Sequence, residues 1–190
     1  KSAAVTAITM EITVDGSLDE TAWRTAPKIG DLTQRQPEPG QPPTERTEVA
    51  LLHDGNYLYI GITCYDSEPQ KIIGTQMARD ANLNSDDRLE IVLDTFRDQR
   101  NAFFFSTNPA GALVDALAFA NGQSNNEWDA IWDVRTRRTA DGWVAEFAIP
   151  FKSLSYEANQ TTWGFDVARR IFHKNERVHW SGFNPALDFT

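Results

Sequence analysis

Apolar residues in this chain come in short runs, and glycine, asparagine, aspartate and proline break those runs again and again. That texture is the mark of an all-β domain and leaves little room for helix. Leu51-Leu52 and Tyr57-Leu58-Tyr59-Ile60 flank His53-Asp54-Gly55-Asn56, which predicts a hairpin. From Arg88 to Asp94 the residues alternate, so Leu89, Ile91 and Leu93 face one way and Arg88, Glu90 and Val92 the other. Asn101 to Thr107 carries three consecutive phenylalanines and reads as a strand buried on both faces. Val134 to Arg138 and Trp143 to Ile149 enclose Thr139-Ala140-Asp141-Gly142, a second predicted hairpin with Trp143, Ala145, Phe147 and Ile149 on one face. Trp163 to Ile171 and Arg177 to Trp180 complete the strands.

Ser17 to Glu20 fits a capping box, followed by a turn or two that place Trp23 as an apolar anchor. Gln36 to Pro43 is too rich in proline to pair and reads as a surface loop, and Ala120 to Glu127 as another. Roughly eight to ten strands in a chain of this size favour a sandwich. The expected fold is therefore all-β: a two-sheet antiparallel β-sandwich, jelly-roll-like, with one or two short helical turns, as one domain over residues 1–190.

Composition narrows the partners. The formal net charge of -9 disfavours nucleic acid, whose phosphates need clustered lysine and arginine. It fits either simple solubility or carboxylates gathered around a hard cation. Asp80, Asp86 and Asp87, beside Asn82, Asn84 and Ser85, are the candidate calcium ligands; the alternative is a solvated loop feeding a strand. The alternating acids and central glycine of an EF-hand are absent. A glycosidase would need two separated carboxylates, and these crowd one short segment. The lone cysteine, Cys64, excludes an internal disulfide and reads as a small buried residue. His53, His173 and His179 have no metal spacing, and no nucleophile elbow, Walker loop or GxGxxG is present. Of the six tryptophans, Trp23, Trp143 and Trp163 look like core; Trp128 and Trp132 border the polar loop and are the better candidates for an exposed ring that stacks on a sugar.

Three motifs recur in a set order: Val14-Asp15-Gly16-Ser17-Leu18-Asp19-Glu20 closed by Trp23, then Asp86 to Asp94, then Gly142-Trp143-Val144-Ala145-Glu146-Phe147-Ala148-Ile149-Pro150. With Asn56 to Ile60, Trp163-Gly164-Phe165-Asp166 and Trp180-Ser181, they make most of the chain resemble carbohydrate-binding module family 9. The resemblance implies a β-sandwich that binds sugars without cutting them, with calcium in a structural role. It also implies a terminal sugar clamped between two tryptophans, its hydroxyls held by a glutamate, an arginine and amides. Residue by residue, Glu90 stands at the glutamate, Asn84 near the first clamp tryptophan and Ser106 near the arginine; the second clamp falls beyond Trp180. Trp128 or Trp132 would then supply stacking from another loop.

Asn101 to Gly111 resembles the branch of this family found ahead of outer-membrane β-barrels. The chain, which opens at Lys1, reads as an excised piece of an exported protein, with a C-terminal β-barrel or a catalytic domain as its partner in the parent. Two functions remain: a non-catalytic carbohydrate-binding module with a calcium-stabilised fold, or an interaction domain of an outer-membrane protein that has lost its sugar site.

Overall fold

The computed structural model describes residues 1–119 and 123–181. Along these residues the chain forms β1 (Thr6–Ala7), α1 (Thr21–Thr25), β2 (Thr33–Gln36), β3 (Thr47–His53), β4 (Tyr57–Tyr65), β5 (Arg88–Asp94), β6 (Asn101–Thr107), β7 (Val114–Phe119), β8 (Ser124–Asn125), β9 (Asp133–Thr139), β10 (Gly142–Pro150), β11 (Gly164–Ile171) and β12 (Glu176–His179). Single 3-10 turns follow at Pro69–Lys71, Phe151–Ser153 and Phe172–Lys174. One sheet has five strands in the order β1-β3-β4-β10-β9, and the other seven in the order β2-β12-β11-β5-β6-β7-β8. Pairing is antiparallel except at the edge, where β1 runs parallel to β3 through Thr6 and Ala7. The fold is the expected all-β sandwich.

Period-two alternation builds the core. Leu89, Ile91 and Leu93 of β5 meet Ile60 and Ile62 of β4 and Trp143, Ala145, Phe147 and Ile149 of β10 in one buried cluster between the sheets. The outer face of the five-stranded sheet is also covered. Trp23 of α1, Leu52, Tyr59 and Ala148 form a second buried cluster there. Gly61 makes that contact close: a Cβ at this position would lie 2.9 Å from the Trp23 ring. On the outer face of the seven-stranded sheet the described residues line a hollow.

Several expectations are corrected. The Ser17–Glu20 capping box does not form. The Asp15 carboxylate takes the Ser17 amide at 2.7 Å, Glu20 reaches back to the Thr13 amide, and α1 begins at Thr21 without a side-chain cap. A local Asx turn has outcompeted the cap. β6 is buried on both faces along most of its length, as expected, with Ala102 and Ser106 covered on the outer face and Phe103 and Phe105 pointing inward; the exceptions are Asn101, which is exposed, and Phe104, half-buried on the outer face. The proline-rich loop is preceded by β2, whose last residue is Gln36. The loop expected over Ala120 to Glu127 contains β8, and its residues 120–122 lie outside the described residues.

Candidate functional site

Along β5, Arg88, Glu90 and Val92 project from the seven-stranded sheet away from the core, and register brings a matching row from each neighbour. Glu90 lies opposite Ser106 of β6 and Ala168 of β11, and Val92 opposite Phe104. Ser106 and Phe104 in turn lie opposite Val114 and Ala116 of β7. Small side chains on β7 leave a hollow of about 340 Å³, floored by Phe104, Ala116 and Ala118 and walled by Asn82, Asn84 and Glu90. An apolar floor with a few convergent polar groups suits a small polar ligand with hydrophobic faces.

Glu90 is the hub of the polar side. Its carboxylate contacts the Arg88 Nε at 2.7 Å and the Arg177 Nη2 at 2.8 Å. Arg88 also donates through Nη1 to the Asn84 side-chain oxygen at 2.6 Å. Burial holds the Arg88 guanidinium below its ordinary range, and Glu90 acts against that shift. Each carboxylate oxygen of Glu90 keeps a lone pair for a further donor such as a sugar hydroxyl. On the far side of the hollow, Arg79 binds Asp115 at 2.5 Å and Asp129 at 3.0 Å, with Asp80 at 3.6 Å.

A sequence profile described as carbohydrate family 9 binding domain-like matches residues 14–185. The chain belongs to this family. This family 9 domain is accordingly a non-catalytic binding module. It is similar in fold to a family 9 module from Caldicellulosiruptor kristjanssonii solved with glucose, at 17% identity and TM-score 0.63 over 93% of this chain and 83% of that one. A family 9 module from the same organism solved with cellotriose gives 17% identity and TM-score 0.65 over 99% of this chain and 91% of that one. A protein from Bacteroides uniformis described as carbohydrate-binding gives TM-score 0.71 at 12% identity over 94% and 88%. No curated protein matches the chain.

The domain brings together two of the residues singled out from sequence, Glu90 and Asn84, on one wall of the hollow. It places the other two elsewhere. Trp132 is buried at 7% exposure, stacked on Phe147 at 5.9 Å and edge-on to Phe105 at 5.1 Å. Trp128 packs on the inward rings Phe103 and Phe105, at 5.2 and 6.1 Å. Both rings face the core side of β6 and neither lines the hollow; Trp132 is buried against expectation, while Trp128 stays half-buried. The ring that sequence reasoning missed is Phe104. Its signal was present, since the middle of three alternating phenylalanines must face away from the other two.

The expected calcium ligands do not converge. Asp86 is fully buried and accepts hydrogen bonds from the Thr75 and Gln76 amides, the Thr75 hydroxyl and the Asn108 amide, at 2.6 to 3.1 Å. Asp87, also fully buried, accepts from the amides of Ile73 and Phe172. These carboxylates pin the 73–76 segment and the turn after β11 to the start of β5. Among the described residues, the carboxylates close enough to share an ion are Asp80, Asp115 and Asp129. Arg79 already supplies the positive charge there, so a cation would have to displace it from all three. Their carboxylate oxygens are donors of the kind calcium takes, with the Arg79 guanidinium as the competitor for them.

Proposed function

We propose that this domain binds a saccharide in the hollow on the outer face of the seven-stranded sheet. The carrying observation is the meeting of Glu90, Arg88 and Asn84 with an apolar floor built on Phe104, Ala116 and Ala118. Sugar rings have apolar C–H faces and a rim of hydroxyls; the floor takes the first and the polar wall the second. The volume lies at the lower end of small-ligand pockets and suits the end of a chain rather than a long stretch of it. The sugar-bound family 9 structures of the same fold support this reading. The domain is on this view an exported sugar-capture module within a larger protein.

The test is calorimetric titration with a panel of mono- and oligosaccharides, repeated on Glu90→Gln. The expected result is binding that the substitution abolishes; unchanged affinity in the variant would sink the assignment. A second reading, an interaction domain of an outer-membrane protein, is favoured by one observation. The position expected for a clamping tryptophan holds Asn84, whose side chain is bound to Arg88. Under that reading the folded domain responds to no sugar in the panel.

A further inference from the structure

The same outer face concentrates positive charge in a chain whose formal charge is -9. Arg88 of β5 lies directly opposite Arg170 of β11, and Arg170 lies directly opposite Arg177 of β12. Three arginines therefore stand side by side in one row across three strands. Arg35 of β2 extends the patch: it senses both Arg177 and Glu90, and burial together with Arg177 holds its guanidinium below the ordinary range. Like charges directly opposite one another on a sheet are destabilising, so such a row is not what folding alone favours.

Among the described residues, the acids near it are engaged. Glu90 contacts Arg88 and Arg177, and Asp166 contacts His179 at 3.0 Å. Arg170 differs from its neighbours. Among the described residues no carboxylate lies within ion-pair distance of it, and its guanidinium is 5.2 Å over the Phe172 ring. It is half-buried and one strand away from Arg88, which lines the hollow. The opposite side of the hollow carries Asp80 and Asp115. Arg79 offsets only one of the three acids there, Asp80, Asp115 and Asp129, so that end of the site stays net negative while the other end carries guanidinium groups.

We infer that the ligand is an acidic saccharide whose carboxylate docks on the arginine row at Arg170 while its ring occupies the hollow; this rests on the saccharide reading above. A carboxylate is planar and matches the guanidinium fork with two parallel hydrogen bonds, which neutral hydroxyls do not. The acidic far side turns the ligand so that its charged end faces the arginines. The ligand class is a uronic-acid-containing oligosaccharide.

The experiment titrates the whole domain with a uronic-acid oligosaccharide, its carboxyl-reduced neutral counterpart and a sulfated oligosaccharide, at low and at high salt. The uronate form is expected to bind about tenfold more tightly than the reduced form, as one charge-assisted bidentate pair implies. That margin shrinks as salt rises. Arg170→Gln removes the preference while affinity for the reduced sugar stays unchanged and the melting temperature does not fall, since the row loses a like-charge neighbour; Arg170→Lys, with charge but no fork, restores part of the preference. Equal affinity for uronate and reduced forms overturns the inference but leaves the saccharide reading standing. So does a preference that survives in Arg170→Gln, or tighter binding of the sulfated sugar. Absence of binding to all three overturns both.

Discussion

The Trp23 indole donates a 3.1 Å hydrogen bond to Glu146 across 123 residues of chain. The same carboxylate accepts the amides of Asp15 at 2.9 Å and Gly16 at 3.0 Å. Gly16 has φ of +84°, and a Cβ there would press within 3.2 Å of the Thr136 backbone. The opening and closing motifs thus travel together because one buried carboxylate ties the N-terminal turn to the middle of β10. Replacing Glu146 with Ala strands three donors, and the expected loss is about 3 kcal/mol of unfolding free energy. Chemical denaturation measures it; a loss under about 1 kcal/mol contradicts the account.

Two buried carboxylates should shape the pH dependence in opposite senses. Burial pushes Glu146 above its ordinary 4.5, only partly offset by the Gly16 and Asp15 amides and the Trp23 indole. The folded state holds that proton more tightly, so its contribution is full below 4.5 and is lost as pH rises through the folded value. Burial also acts to raise Asp86, but the Gln76 and Thr75 amides, the Thr75 hydroxyl and the Asn108 amide overcome it and hold Asp86 below 3.8. Its contribution is present above 3.8 and lost as pH falls through the depressed value. Stability curves of Asp86→Asn are expected to lack part of the acid limb, while Glu146→Gln flattens the decline on the rising side.

Phe104 should matter to binding and Trp132 to folding. Phe104→Ala removes apolar floor on the outer face and is expected to weaken saccharide affinity roughly tenfold, about 1.4 kcal/mol, with the melt little changed. Trp132→Ala opens a cavity beneath Phe105 and Phe147 and should cost about 3–5 kcal/mol while the folded fraction binds normally. Loss of affinity in the tryptophan variant alone would reverse the assignment.

Arg79 holds the acids across the hollow together. Calcium or EDTA is expected to leave the melting temperature of the wild-type domain unchanged, because the guanidinium already neutralises Asp115. Arg79→Ala strands that buried carboxylate and should cost about 2 kcal/mol, discounted for the exposed part of the pair. The variant's melting temperature should then rise with calcium, since Asp80, Asp115 and Asp129 are left without their counter-charge. A calcium response in the wild type would show that the ion displaces Arg79.

The fold was legible wherever alternation was clean. β5 and β10 read directly, because Leu89, Ile91 and Leu93, and Trp143 to Ile149, put every second side chain into one core. β7 did not. Two of its three outward positions, Ala116 and Ala118, are alanines, which carry little strand preference, and their smallness is what makes the hollow. At the site, Glu90 and Asn84 were found through family resemblance. Trp128 and Trp132 were misplaced because a polar neighbouring loop says nothing about which side of the sheet a ring takes. Asp86 and Asp87 looked like ion ligands because a carboxylate pair in a loop has the same sequence whether it binds a cation or backbone amides. The arginine row was invisible because Arg88, Arg170 and Arg177 become neighbours only through strand register.

Glu90 sits near the centre of a strand hydrogen-bonded on both sides, with Leu89 and Ile91 locked in the core beneath it. The backbone that presents the binding groups has therefore lost its conformational freedom before any ligand arrives. Association need not freeze a loop to assemble this wall of the site, so even a shallow set of contacts can yield measurable affinity. The same rigidity means that preference among ligands here is set by shape and charge already in place, and a new preference calls for a changed side chain rather than a changed conformation.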